Sequence, residues 1–185
     1  NVEAAVFDNS PLNILNEGLV YDRCDVGVVT DCGVMPGLSE HDIIEAEQRF
    51  KVTRTQVDVV LASGAAVLNA ADEQVLAMAE LCDGDVLLYA THGDLPALQL
   101  HLSKGGRAVF QRGHSIVFAQ AGAHTEWLDL QRDLRAGART VAVPSLLAAC
   151  AAAWALGLSP DMIAAGIETF EPDLKSPARS PISQV

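Results

Sequence analysis

DRCDVGVVTDC, residues 22–32, holds a short β-branched run, Val26, Gly27, Val28 and Val29, with no polar alternation and with Asp25 and Asp31 on either side. A strand buried on both faces of a parallel sheet reads this way, because helices cover both faces and neither set of side chains meets water. Ligands of open α/β sheets settle outside the carboxyl ends of the strands, so Thr30, Asp31 and the glycines after them stand where chemistry is expected. A plain core strand with a polar turn after it reads the same. Position alone does not make a site.

Upstream, Val2–Phe7 (VEAAVF) reads as a first short buried strand ending in the breaker cluster Asp8, Asn9, Ser10, Pro11. Leu12–Val20 predicts one or two helical turns closed by Gly18. Downstream, Gly33, Pro36 and Gly37 make a loop. Ser39 is placed to cap a helix through Ile43, Ile44, Ala46 and Phe50, with Glu40, Asp42 and Glu45 near its amino end, where the macrodipole favours acids. Helical character resumes over Val57–Leu61, and Ala65–Leu68 is a short strand ending in Asn69, Ala70, Ala71 and Asp72. Glu73–Leu81 reads as a helix, Asp85–Ala90 as a strand, and Leu95–Leu102 as a helix with Pro96 in its first turn. Such alternation is the pattern of βαβ units and a parallel sheet.

The texture changes at Gly105. Arg107–Phe110 and Ser115–Ala119 flank Gln111, Arg112, Gly113 and His114, which predicts a β-hairpin at one edge of the sheet. Trp127–Ala136 is ambiguous. Pro144–Leu156 is alanine-rich and apolar on nearly every face, as a helix packed inside a protein is, and Ser159 with Pro160 starts a second helix running through Met162, Ile163, Ile167 and Phe170. The expected fold is therefore α/β, a mostly parallel sheet with flanking helices and an edge hairpin. Pro172, Pro177 and Pro181 with several serines give the end of the chain the composition of a linker.

Twelve basic against 24 acidic side chains leave a net charge of -12 over 185 residues, and no Lys/Arg run stands against it. Nucleic acid and anionic membrane surfaces are poor partners for such a field. Cys24, Cys32, Cys82 and Cys150 form no CxxC pair and no zinc-like spacing with histidine, which predicts reduced, mostly buried thiols in a cytoplasmic protein. No run is long and apolar enough for a membrane span or a signal peptide. The chain opens at Asn1 without a Met, inside an expected strand, which suggests a piece of a longer polypeptide.

Several chemistries are sought without success. The sequence contains no GxxxxGK[ST]; its nearest glycine cluster, Ser103-Lys104-Gly105-Gly106-Arg107, precedes a strand instead of opening a helix. GxGxxG and GxSxG are missing as well. His41 beside Asp42 falls on an expected surface helix, and His114 and His124 read as exposed turn residues. No catalytic residue follows from these patterns.

In order along the chain, VEAAVFD, ILNEGLVYDRCDVGVVTD, AAVLNAADEQVLAMAE, GGRAVF, AACAAAWALGL and AAGIETF resemble the Mur-ligase-like central region of the cyanophycin synthetase family, one of the Mur ligases. DRCDVGVVT is the most specific piece, and the resemblance covers nearly the whole chain. It implies a Mur-ligase-like central domain over residues 1–171 and a linker at 172–185 toward a further domain. It implies ATP and Mg²⁺ as cofactors, phosphorylation of a carboxylate, and attack of an amine on the acyl phosphate. Partners so implied are the upstream and downstream segments of the same protein and further copies in a homo-oligomer, with no nucleic acid and no membrane.

The implied site residues are Asp8 for the metal and Asn69, Asp72 and Arg179 for the nucleotide. Departures from the family pattern gather at polar positions. Asp8 stands for a family Glu, and Ser10, Pro11, Leu12 and Asn13 stand for ARGG. Met35 and Pro36 fall near a DH pair, and Asn69, Ala70, Ala71 and Asp72 replace NADD. Ser145 takes the place of an Asn, and Ala178 with Arg179 that of GR. The family's GxxGKT lies upstream of the first matched strand, before this chain begins. Two functions are compatible with a preserved core and an altered site. One is a ligase fragment that is inactive alone; the other is a non-catalytic module retained for packing or oligomerisation. An unrelated α/β small-molecule binder is a third, and Asn69, Asp72 and Arg179 also read as ordinary turn and linker residues.

Overall fold

β1 (Cys24–Val29) forms at the stretch that predicts it and pairs in parallel with β2 (Val60–Asn69), Val26 opposite Ala65 through Val29 opposite Leu68. The computed structural model describes residues 4–131 and 141–170. β3 (Asp85–Ala90) and β4 (Arg107–Arg112) extend the parallel set, and β5 (Ser115–Gln120) and β6 (Ala123–Asp129) return antiparallel. The described strands make one mixed sheet of six, ordered as they occur in the chain.

α2 (Ala46–Asp58) links β1 to β2, α3 (Glu73–Ala77) with a following 3-10 turn links β2 to β3, and α4 (Pro96–Ser103) links β3 to β4. Val57, Val75, Met78, Leu98 and Leu102 from these connections pack with Val29, Leu68, Leu88 and Phe110 on a single face. Right-handed crossovers in a sheet that grows in one direction put all its helices on one side. The opposite face is covered by α5 (Val143–Ala155) and α6 (Pro160–Glu168), whose Leu146, Leu147, Ala151 and Ile163 meet Val67, Leu87, Tyr89, Val109 and Phe118. Ala65–Leu68 of β2 and Leu87–Ala90 of β3 are thus buried on both faces, which is why these stretches show no alternation. The α/β class and the parallel majority stand as expected.

Four local expectations are corrected. Ser39 does not begin a long helix. The chain makes one 3-10 turn at Leu38–His41, leaves it through Asp42 at φ 57°, and restarts at Ala46. There Glu45 and Gln48 form a reciprocal capping box, Gln48 Oε1 accepting from Ile44 N at 2.9 Å and Glu45 N at 2.8 Å. A two-sided cap fixes a helix start better than a single serine. Val57 belongs to the end of α2, whereas Val60 and Leu61 open β2, whose pairing with β1 shifts between Cys24 and Val26.

Ala4–Phe7, expected as strand, lie outside any strand, with Val6 95% exposed. Apart from Phe7, whose ring lies 5.4 Å from that of Tyr21, the segment is exposed, and a strand with wet faces lacks the burial that holds strands together. The hairpin of β4 and β5 is present, but β6 lies beyond it and forms the sheet's edge. Of the ambiguous Trp127–Ala136, the first part completes β6 and residues 132–136 fall outside the described chain. α1 (Pro11–Glu17) starts on Ser10, whose Oγ accepts from Asn13 N, and α6 starts likewise on Ser159. The linker at 172–185 lies outside the described residues.

Candidate functional site

Two loops leave the carboxyl edge side by side, Thr30–Gly33 after β1 and Asn69–Asp72 after β2. Asn69 Nδ2 donates to Thr30 O at 2.9 Å, while its Oδ1 accepts from Ala71 N at 3.0 Å. Asp72 Oδ2 accepts from Cys32 N at 3.2 Å, and its Oδ1 accepts from Gln74 N at 2.9 Å and Val75 N at 3.2 Å, which caps α3. From the other side Arg49 on α2 donates Nε–H to Cys32 O at 3.2 Å and Nη1–H to Ile44 O at 2.6 Å. The Cys32 peptide is therefore clamped at its N–H by an acid and at its C=O by a guanidinium. Asp31 folds back on its own loop, taking Thr30 Oγ1–H at 3.0 Å and Gly33 N–H at 2.9 Å.

Beneath the loops lies an apolar floor. Cys32 is 4% exposed and Thr53 2%; the Thr53 hydroxyl faces the Cys32 thiol and has no oxygen or nitrogen partner among the described residues. Burial, with the Asp72 charge next in size, pushes the Cys32 thiol up to about 11, which makes it a poor nucleophile near neutrality. Burial first, then the charges of Asp31 and Asp72, raises the Tyr89 phenol as well. No histidine stands among these groups, and both side-chain ends of Asn69 and both oxygens of Asp72 are committed to backbone. The arrangement holds two loops in register and presents the carboxylates of Asp31 and Asp72.

The sequence-derived site is brought together only in part. Asn69 meets Thr30 and Asp72 meets Cys32, but Asp8 is exposed in the segment before α1, and Arg179 lies outside the described residues. Among the described residues no three His, Cys, Asp or Glu side chains gather to hold a metal. Mg²⁺ takes one or two protein carboxylates in near-octahedral geometry, with water and substrate phosphates completing its shell. Met35 is half-buried and Pro36 exposed in the loop after β1, and Ser145 is exposed in the first turn of α5. Arg49 is the residue that sequence reasoning missed. Its partners are main-chain carbonyls, so no motif announces it.

Farther along the same edge, beyond β3 and β4, His92, Gly93, Asp94, Gln99, Phe110, Gln111 and Arg112 line a cleft of about 510 Å³. Arg112 lies over the Phe110 ring at 5.5 Å and directs Nη2 to His124 Nδ1 at 2.7 Å. An arginine has only donors, so His124 Nδ1 is the acceptor and its proton sits on Nε2.

No family model matches the sequence. The chain is 36% identical over 171 residues, 91% of its length, to a cyanophycin synthetase of Synechocystis sp., and 34% identical over 172 residues, 92% of its length, to that of Crocosphaera subtropica. It carries a partial Mur-ligase-like region. The chain spans about a fifth (20%) of the length of these curated relatives. In fold this Mur-ligase-like region is similar to MurF from Acinetobacter baumannii, with a TM-score of 0.50 at 19% identity over 80% of this chain and 29% of that one.

Proposed function

We propose that this chain is a fragment of an ATP-dependent carbon–nitrogen ligase of the cyanophycin synthetase kind, inactive by itself. One observation carries the reading: Thr30–Gly33, Asn69 and Asp72 converge at a single sheet edge within a stretch 36% identical to a cyanophycin synthetase. In this reading Asn69, Asp72 and Arg179 face the nucleotide, and Asp8 supplies a carboxylate toward Mg²⁺ once segments from outside these 185 residues are present. ATP is the phosphoryl donor that converts a carboxylate into an acyl phosphate for an amine to attack. The described residues do not gather a magnesium site, so no step is assigned to the metal. Upstream and downstream segments of the same protein, and further copies of it, are the partners. Four free cysteines support a reducing, cytoplasmic setting.

A second reading is favoured by the commitment of Asn69 and Asp72 to backbone. Residues spent on bracing loops serve a non-catalytic structural or oligomerisation module equally well. Titration of the chain with MgATP, followed by phosphate release, tests the first reading. No turnover is expected from the chain alone, and turnover without added protein overturns its inactivity.

A further inference from the structure

β3 and β4 part at the carboxyl edge of the sheet. β3 turns through residues 91–94 onto the face that carries α4, whereas β4 runs on in the plane of the sheet into its hairpin with β5. A crevice opens where neighbouring strands send their connections different ways, and ligands of open α/β sheets settle in such crevices. Here it is the cleft of about 510 Å³. We propose that this cleft binds a small molecule by its carboxylate or phosphate group, with Arg112 as the anchor.

The walls are fixed before a ligand arrives. Gly93 backs onto Phe110, whose ring would collide with a Cβ at that position, and Gln99 Nε2 of α4 donates to Gly93 O. On the other side Gln111 Nε2 donates to Gly113 O at 2.7 Å and holds the hairpin turn. Arg112 lies over the Phe110 ring, and its bond from Nη2 to His124 Nδ1 at 2.7 Å aims the guanidinium without cancelling its charge, since that acceptor is a neutral imidazole nitrogen. His124 in turn stands edge-on to Phe110, with 5.9 Å between centroids. Phe110 is 1% exposed, so the ring beneath the guanidinium is anchored in the core. A planar cation held from beneath and from the side loses little freedom on meeting a ligand, which is how preorganised sites gain affinity. Five N–H donors in one plane let an arginine keep a neighbour and still take two oxygens of an anion.

The chemistry of the lining selects an anion. His92, Gln99, Gln111 and Arg112 offer imidazole, amide and guanidinium nitrogens against a single carboxylate, Asp94. The net charge of -12 repels anions at large, so one that stays here is held by directed bonds and not by the field of the chain. The cleft shares no residue with the β1 and β2 loops, and its occupancy does not depend on a nucleotide there.

Amide NMR spectra of the whole chain, titrated at constant ionic strength with inorganic phosphate and separately with succinate, test the site. Saturable shifts at Gly93, Arg112 and Gly113 are expected with at least one of the two, and the anion that produces them tells a phosphate ligand from a carboxylate. Arg112→Gln is expected to weaken that binding about ten-fold, the worth of a charge-assisted hydrogen bond. Arg54→Gln, at an arginine of α2 paired with Asp58, is expected to leave it unchanged. Asp94→Asn removes the opposing carboxylate and is expected to tighten binding about two-fold, a direction that a damaged fold does not produce. Shifts that rise linearly with both anions overturn the site. So does saturable binding that R112Q leaves intact or that D94N weakens.

Discussion

Asp72 accepts three backbone N–H groups, two in its own helix and one from Cys32 across the edge. Asp72→Ala therefore uncaps α3 and frees the loop after β1, with an expected loss of about 1–2 kcal/mol in urea unfolding. Asp72→Asn keeps an acceptor and is expected to lose less. The thiols make a separate prediction. Cys32 is raised to about 11 by burial and then Asp72, and Cys150 to about 12 by burial. Well below the ordinary thiol value of about 8.5 both thiols are protonated folded and unfolded, so they add no pH dependence there. As pH rises from 9 toward 11 and 12 the unfolded chain releases protons that the folded chain keeps, and stability falls. The alkaline drop in melting temperature is expected to shrink in Cys150→Ala. Asn69 and Asp72 were legible as polar residues ending a strand, but their work was not, since their partners Thr30 and Cys32 are 39 and 40 residues away. Arg49 was hidden because its partners are the main-chain carbonyls of Cys32 and Ile44.

Glycines show how closely the elements approach. A Cβ on Gly27 comes within 2.5 Å of Gln56 O and 2.8 Å of Val60 Cγ2, so β1 has to move off α2 to admit it. Gly27→Ala is expected to cost about 1–3 kcal/mol in urea unfolding, the usual range for overpacking. Gly166, inside α6 with nothing within 4 Å of such a Cβ, is its control; Gly166→Ala is expected to stabilise by about 0.5–1 kcal/mol. The apolar runs of β1 and β3 and the caps at Ser10 and Ser159 were readable because their causes are local. The break at Asp42 and the early start of β2 were not, because a capping box and a bulge against Asp25 override the apolar period there. β6 was missed at Ala123–Asp129 because its position is fixed by pairing with β5, from Gln120 opposite Ala123 onward, rather than by any period of its own.

The sheet is covered on both faces and carries two braced loops at its carboxyl edge. Residues 1–185 contain no GxxxxGK[ST], the loop whose backbone N–H groups and lysine cradle a nucleotide's phosphates. The ligase-fragment and structural-module readings therefore part only when that loop is provided. Joining a GxxGKT-bearing segment ahead of Val2, together with a downstream domain, is expected to create MgATP hydrolysis that depends on the acceptor amine. Asn69→Ala in that assembly is expected to weaken ATP affinity, read by titration, with a smaller effect on the melting temperature than Asp72→Ala. Phosphate release that stays at background, in an assembly whose melting curve shows it folded, leaves the module as the surviving function. ATP affinity untouched by Asn69→Ala, with hydrolysis restored, would instead keep the ligase and move its nucleotide contacts away from the β2 loop. The loop's hydrogen bonds to Thr30 and Ala71 would then account for Asn69 in full.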